Sequence, residues 1–224
     1  MGVGESSVEE RIRPPLADLL DAGLEVGCCA RMGEVDVRLV AHGDGADKIL
    51  DGAESIVQEH VGDFIYGRGD DQLEEVMVRE LTKRGMTLVV AESCTGGFLA
   101  HRITNISGAS AVFLAGYCTY SNEAKQETLG VKPETLAGHG AVSEAVAREM
   151  AEGARAKHGA DFALTTTGIA GPTGGTKEKP VGTVFIALAG PNGTEVINPC
   201  NPCDRETFKY VATQQALDLL RRNL

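Results

Sequence analysis

A serine at the end of an apolar run is the feature of this sequence best suited to chemistry. Residues 88–91 read Leu-Val-Val-Ala and predict a buried strand that ends at Glu92, before Ser93 and a glycine-rich turn. A segment with helical apolar spacing follows, and the first N–H groups of a helix lack partners within it. Serine also caps helices, so position alone does not make Ser93 a nucleophile. The candidate oxyanion donors are the backbone N–H groups of Thr95, Gly96 and Gly97.

A nucleophilic serine needs a base, and the sequence offers two kinds. His101 lies on the helix after the serine and His139 in a predicted loop without an acidic partner, so a Ser-His-Asp triad is open but poorly supported. Lys125 follows the next predicted strand, and a buried lysine can lose its proton and act as a base. Tyr120, at the end of that strand, could relay a proton. Cys94 is a rival nucleophile that lacks a base in the sequence.

A third strand end is expected at the same pocket. Asp161–Thr167 predicts a strand, and a loop rich in glycine, proline and threonine extends from there to Pro180. Ligands of α/β sheets bind where strands give way to loops or helices. The loop resembles a phosphate cradle in composition but matches neither the Walker A nor the dinucleotide pattern, so a mobile flap is equally open. Arg205, at the start of the last predicted helix, could pair with a phosphate or lie on the surface.

The elements that position these residues fall into two regions. After residue 70, strands alternate with helices and end in a hairpin around Pro191-Asn192-Gly193, which predicts an α/β fold with a mixed sheet in a three-layer α/β/α sandwich. Before it, a helix capped by Ser7, strands at 25–30 and 35–41, a helix at 46–60 and a short strand at 64–66 predict a small α+β domain. The predicted domains are 1–68 and 69–224.

Composition restricts the partners. The 224 residues carry a net charge of −11, which argues against nucleic acid as a partner. No apolar run approaches the roughly 20 residues that span a membrane, and the N-terminus lacks a signal pattern, so we expect a cytoplasmic protein with reduced cysteines. Cys200 and Cys203 form one Cys-x-x-Cys without the second pair that a zinc site needs. No metal or cofactor is predicted.

Five motifs together resemble the C-terminal domain of the CinA family, over about residues 71–222. The motifs are Ala-Glu-Ser-Cys-Thr-Gly-Gly, Tyr-Ser-Asn-Glu-Ala-Lys, Gly-Ala-Val-Ser-Glu, Thr-Gly-Ile-Ala-Gly-Pro-Thr-Gly-Gly-Thr and Lys-Pro-Val-Gly-Thr-Val. The N-terminal third resembles the KH-like region of CinA proteins. No segment resembles that family's large molybdopterin-binding-like domain, so we do not expect its ADP-ribose pyrophosphatase activity.

The resemblance implies an enzyme that hydrolyses nicotinamide mononucleotide to nicotinic acid mononucleotide and ammonia. It places the nucleophile on Ser93, its lysine on Lys125 and its tyrosine on Tyr120. The implied substrate-binding residues are Thr167, Gly168, Ala170, Gly171 and Arg205, although Pro-Cys-Asp-Arg replaces the family's usual lead-in to the arginine. The family also implies a homo-oligomer, a dimer or larger. Two alternatives stay open, namely a nucleotide-binding regulatory module without activity and a serine hydrolase acting on another amide or ester.

Overall fold

The computed structural model describes residues 2–224, which divide between Tyr66 and Gly67 into two compact units. The first unit contains an antiparallel two-stranded sheet and a core of aliphatic side chains from its helices. Its elements are α1 (Glu5–Ile12), α2 (Ala17–Asp21), β1 (Glu25–Arg31), β2 (Glu34–Val40) and α3 (Ala46–Val61). Alternation of Val35, Val37 and Leu39 turns their side chains towards that core, as the sequence pattern predicts.

Two predictions for the first unit are wrong. Residues 64–66 do not form a strand, because Gly62–Phe64 is a 3-10 turn and the sheet of residues 2–66 consists of β1 and β2. The apolar side chains of Phe64 and Ile65 pack on the core instead, and a run this short cannot distinguish core packing from strand pairing. Ser7 does not cap the first helix, since α1 begins at Glu5 with Gly4 as its N-cap residue.

The second unit is built on a mixed five-stranded sheet in the order β4-β3-β5-β6-β7. β3 pairs in parallel with β4 and β5, whereas β5–β6 and β6–β7 are antiparallel, which confirms the predicted mixed sheet. The elements are α4 (Leu73–Arg84), β3 (Leu88–Glu92), α5 (Phe98–Thr104), β4 (Phe113–Cys118), α6 (Asn122–Leu129), α7 (Pro133–His139), α8 (Glu144–His158), β5 (Phe162–Gly168), β6 (Val184–Gly190), β7 (Gly193–Ile197) and α9 (Arg205–Arg221).

Helices cover the central strands on both faces. α8 packs on one face of the sheet, while α5 and α9 lie on the other. All five residues of β3 are buried, which explains why its sequence is apolar throughout instead of alternating. Gly153 permits a close contact between α8 and the end of α6, since a Cβ atom there would lie 1.8 Å from the Leu129 carbonyl oxygen.

Helix caps fix where the site-bearing segments begin. The Ser121 hydroxyl accepts from the Ala124 N–H, so α6 starts directly after β4, as predicted. Asp204 accepts from the N–H groups of Glu206 and Thr207 at the start of α9, and these bonds lower the pKa of its carboxyl group. The sequence did not predict α7, which places His139 at a helix end and not in a loop.

Candidate active site

Ser93 and Lys125 meet at the end of β3. The backbone N–H of Ser93 donates to the Thr166 carbonyl at 2.9 Å, which ties the residue to β5 beyond the last strand pair. Lys125 lies in the first turns of α6, and its Nζ is 3.0 Å from Ser93 Oγ. The structure therefore brings together the two side chains that the sequence pairs as nucleophile and base.

Burial of Lys125 shifts its amino group towards the uncharged form. The residue is 1% exposed, and loss of hydration lowers the pKa of its amino group. Apart from Ser93 Oγ, its Nζ has two backbone carbonyl neighbours, Thr119 O at 2.7 Å and Tyr120 O at 3.5 Å. Carbonyl oxygens only accept, so the two protons of a neutral amine point to them and its lone pair is left for the Ser93 hydroxyl proton.

The rival groups are less suited to this chemistry. Cys94 is 6% exposed, and burial raises the pKa of its thiol to about 12, so it holds its proton at neutral pH. His101 is exposed on α5, where its Nε2 lies 3.2 Å from the side-chain nitrogen of Asn105. The carbonyl oxygen of His139 accepts from Lys179 Nζ of the site loop. Among these side chains, Lys125 is the candidate base that contacts Ser93.

The carboxylate of Glu92 organises the glycine-rich turn, a role that sequence reasoning missed. Glu92 is 1% exposed and turns back onto the start of α5. Its Oε2 accepts from Thr95 Oγ1 at 2.6 Å, from the Gly97 N–H at 3.1 Å and from the Leu99 N–H at 2.9 Å, while Oε1 accepts from the Ala100 N–H at 2.8 Å. An internal acid therefore satisfies the N-terminal donors of this helix.

This capping reduces the number of backbone N–H groups that could stabilise an oxyanion. The Gly97 N–H is already bonded to Glu92, so it is not available in this structure as the donor that the sequence suggested. Thr95 and Gly96 are the remaining candidates. Gly96 has a φ of 63° and Gly97 a φ of 94°, a left-handed backbone that favours glycine and turns the chain sharply after Ser93.

Three hydroxyl-bearing residues follow one another across the ends of three parallel strands. Glu92 is in register with Cys118 of β4 and with Thr166 of β5, so Thr119, Ser93 and Thr167 come next on the opposite face of the sheet. Thr167 is 1% exposed, and its Oγ1 donates to the Ala141 carbonyl at 2.8 Å. Sequence reasoning named Thr167 and missed Thr119.

Arg205 connects Tyr120, which follows β4, to Gly171 in the loop after β5. Its Nη2 donates to the Tyr120 hydroxyl at 2.8 Å, and its Nη1 donates to the Gly171 carbonyl at 3.0 Å. Tyr120 is 61% exposed, so its side chain lies largely in solvent. Arg205, Tyr120 and Gly171 thus form one cluster, and Ser93 and Lys125 form another.

The loop after β5 is shaped by close backbone contacts. A Cβ at Gly168 would lie 2.6 Å from the Thr183 carbonyl oxygen, and one at Gly171 would lie 2.5 Å from Val181 Cγ1. Ala170 is buried between these glycines. Lys179, at the far end of the loop, donates to the carbonyls of His139 and Val142. The loop is therefore anchored at both ends, which is a further feature that composition alone did not reveal.

Other chemistries receive no support from the described residues. Across residues 2–224, no three His, Cys, Asp or Glu side chains are grouped so that they could hold a metal ion. Cys200 is exposed, and Cys203 Sγ contacts the Asn201 carbonyl, with both thiols free. No helix in this part of the chain is long and apolar enough to cross a membrane.

Comparison with known proteins gives matches along the whole chain. Residues 70–224 match the family model described as the CinA C-terminal domain, and residues 1–67 match that of the damage-inducible protein CinA KH domain. A putative competence-damage inducible protein from Moorella thermoacetica is 47% identical over 100% of this chain and 54% of its own length. A CinA-like protein from Anaeromyxobacter sp. is 45% identical over 98% of this chain and 53% of its own length. The chain spans about half the length of the curated relatives it matches.

Solved structures also resemble the chain, over about two thirds to three quarters of its length. A competence-damaged protein (CinA) superfamily protein from Escherichia coli is 31% identical with a TM-score of 0.66, over 73% of this chain and 98% of that one. The competence damage-inducible protein A from Klebsiella pneumoniae is 41% identical with a TM-score of 0.64, over 67% of this chain and 95% of that one. These matches support the fold described above.

Proposed function

The chain belongs to the CinA family, and from that premise we propose that it is a nicotinamide mononucleotide amidohydrolase. The observation that carries the proposal is the contact of 3.0 Å between Lys125 Nζ and Ser93 Oγ at a lysine withdrawn from water. A serine beside a lysine of lowered pKa is suited to acyl transfer, and this needs neither histidine nor a metal ion.

The first step forms an acyl-enzyme. Neutral Lys125 takes the proton of the Ser93 hydroxyl as Oγ attacks the carboxamide carbon. The negative charge that develops on the carbonyl oxygen is stabilised by N–H groups of the turn, for which Thr95 and Gly96 are the candidates. The protonated Lys125 then gives its proton to the amide nitrogen, the C–N bond breaks and ammonia leaves. Tyr120 remains a candidate relay for this proton.

The second step returns the enzyme to its starting state. A water molecule replaces ammonia, Lys125 takes one of its protons, and the resulting hydroxide attacks the ester carbon. Lys125 then protonates Ser93 Oγ as the ester bond breaks, which releases nicotinic acid mononucleotide. The same amine acts as base and then as acid in both steps. Burial lowers its pKa, so less free energy is needed to form the neutral amine that starts each step.

The nucleotide end of the substrate is assigned to the second cluster. Arg205 presents a guanidinium already held by Tyr120 and Gly171, so little side-chain freedom is lost when a phosphate binds. Thr167, Gly168, Ala170 and Gly171 are the proposed substrate-facing residues of β5 and its loop. The chain as a whole is acidic, so attraction of a phosphate depends on such local groups.

Release of ammonia from nicotinamide mononucleotide tests the proposal. The purified chain is expected to release ammonia from the mononucleotide, whereas Ser93→Ala and Lys125→Met are expected to lower kcat by at least about 10³-fold. Ser110→Ala and Lys132→Met change exposed residues of the same types and serve as matched controls. A rise in Tm with the mononucleotide but no ammonia would instead indicate a binding module. Ammonia release only from other carboxamides would indicate a different amidase.

A further inference from the structure

The hydroxyl group of Thr119 is buried and has no partner. The residue is 2% exposed, and Oγ1 is the buried side-chain polar atom of residues 2–224 without a hydrogen bond. A buried hydroxyl without a partner destabilises the folded state, and such groups call for an explanation in a ligand or an ordered water. Thr119 contacts Lys125 of the proposed catalytic pair through its carbonyl oxygen, so a reactant bound by the Thr119 hydroxyl is one such explanation.

The fold places the Thr119 side chain on the same face as Ser93. The N–H of Thr119 donates to the Glu92 carbonyl at 2.9 Å, which extends the β3–β4 pairing by one residue beyond Cys118. Ala91 and Tyr117 are paired in register and both pack towards α8. Side chains alternate along a strand, so the positions two residues on, Ser93 and Thr119, face the same way on neighbouring strands.

Thr119 is also tied to the lysine. Its carbonyl oxygen accepts from Lys125 Nζ at 2.7 Å, a shorter contact than the 3.0 Å between that Nζ and Ser93 Oγ. In the proposed reaction, the proton taken from Ser93 by Lys125 must be handed to the amide nitrogen. The nitrogen must therefore come within hydrogen-bond distance of Nζ, the atom that the Thr119 carbonyl oxygen contacts.

We propose that the Thr119 hydroxyl binds the amino group of the carboxamide as it leaves, and then the water that replaces it. The inference rests on the proposed function. The hydroxyl accepts an N–H of the carboxamide while Lys125 delivers its proton to that nitrogen, the C–N bond breaks and ammonia departs. It then accepts an O–H of the incoming water, whose other proton goes to Lys125 as the oxygen attacks the Ser93 ester.

Thr167, on the other side of Ser93, differs in one respect. Its hydroxyl donates a hydrogen bond to the Ala141 carbonyl, so this side chain already has a partner without substrate. The unsatisfied state of Thr119 is thus specific to its position and is not a general property of the hydroxyls at these strand ends.

The test compares Thr119→Val, Thr119→Ser and the wild type on nicotinamide mononucleotide. Valine keeps the shape but removes the hydroxyl, so we expect kcat to fall about tenfold with KM changed by less than about threefold. Thr119→Ser is expected to restore kcat. The Tm of Thr119→Val is expected to stay level or rise, because an unpartnered buried hydroxyl is lost. In the matched control Thr165→Val, the lost hydroxyl is bonded to Ala147 O, so Tm falls while kcat is retained.

Each outcome decides the inference. A loss of kcat in Thr119→Val, with an undiminished Tm and recovery in Thr119→Ser, supports it, since a residue that only stabilised the fold would lower both quantities together. An active wild type with Thr119→Val at the same kcat overturns this inference alone and leaves the proposed function standing. A wild type that releases no ammonia from the mononucleotide overturns both.

Discussion

The capping of α5 by Glu92 makes a quantitative prediction about the turn that follows Ser93. Glutamine has nearly the same shape as glutamate, so Glu92→Gln tests the carboxylate without creating a cavity. One carboxylate oxygen accepts from three donors and the other only from the Ala100 N–H. The glutamine is therefore expected to keep its oxygen on the three donors and to point its NH₂ group at the Ala100 N–H.

The expected loss follows from this change of partners. The half-buried Ala100 N–H loses a charge-assisted hydrogen bond and faces another donor, and three further bonds become neutral. Loss of a hydrogen bond to a charged group costs about 1.5–3 kcal/mol, and the weaker neutral bonds add to that, so we expect the free energy of unfolding to fall by about 3 kcal/mol. At 2–4 °C per kcal/mol, the Tm should fall by roughly 10 °C.

Thermal and urea unfolding, followed by ammonia release from the folded variant, measure this effect. Glu127→Gln, an exposed position on α6, is the matched control and is expected to stay within about 0.5 kcal/mol of the wild type. The folded Glu92→Gln protein is expected to have a lower kcat, because the turn that carries the oxyanion candidates is less firmly held. An unfolding free energy within 1 kcal/mol of the wild type would refute the capping role.

Further predictions concern three residues of the site, Lys125, Cys94 and Arg205. The lowered pKa of Lys125 predicts that kcat/KM rises with pH and levels off below the ordinary lysine value of 10.5; a rise that continues past 10.5 would contradict it. At pH values between the pKa of Lys125 in the folded protein and 10.5, the unfolded chain binds more protons than the folded one, so the free energy of unfolding rises with pH. Urea titrations of Lys125→Met should lack this rise. Cys94→Ala is expected to keep kcat within about threefold, because a buried thiol of raised pKa is inert; ammonia release would show otherwise. Arg205→Lys is expected to raise KM for the mononucleotide about tenfold with little change in kcat, since an ammonium cannot hold Tyr120, Gly171 and a phosphate together; an unchanged KM would exclude the phosphate role.

The pairing of Ser93 with Lys125 could be predicted because local signals determine it. An apolar run, a glycine-rich turn and helical spacing define the end of β3, and Ser121 starts α6 immediately after β4. Parallel strands align their carboxyl ends, so a lysine in the first turns of α6 lies near the serine after β3. The sequence therefore suffices to predict that the two side chains lie close together.

Other features depend on contacts that no local pattern encodes. The sequence does not show that Glu92 turns back onto α5, because a buried acid at a strand end can equally face a ligand. The position of Thr119 beside Ser93 follows from the register of β3 and β4. The sequence predicts a strand that ends at Tyr120, but it does not determine which residue of that strand lies next to Ser93. α7 was missed because its sequence contains glycine and is only seven residues long. The homo-oligomer that the family implies stays a prediction.

The central claim is that Ser93 is the nucleophile of a nicotinamide mononucleotide amidohydrolase. The most direct measurement is the rate of ammonia release from the mononucleotide by Ser93→Ala, relative to wild type at the same enzyme and substrate concentrations. We expect a loss of at least about 10³-fold in a variant whose Tm stays close to that of the wild type. A folded Ser93→Ala protein that released ammonia at the wild-type rate would contradict it.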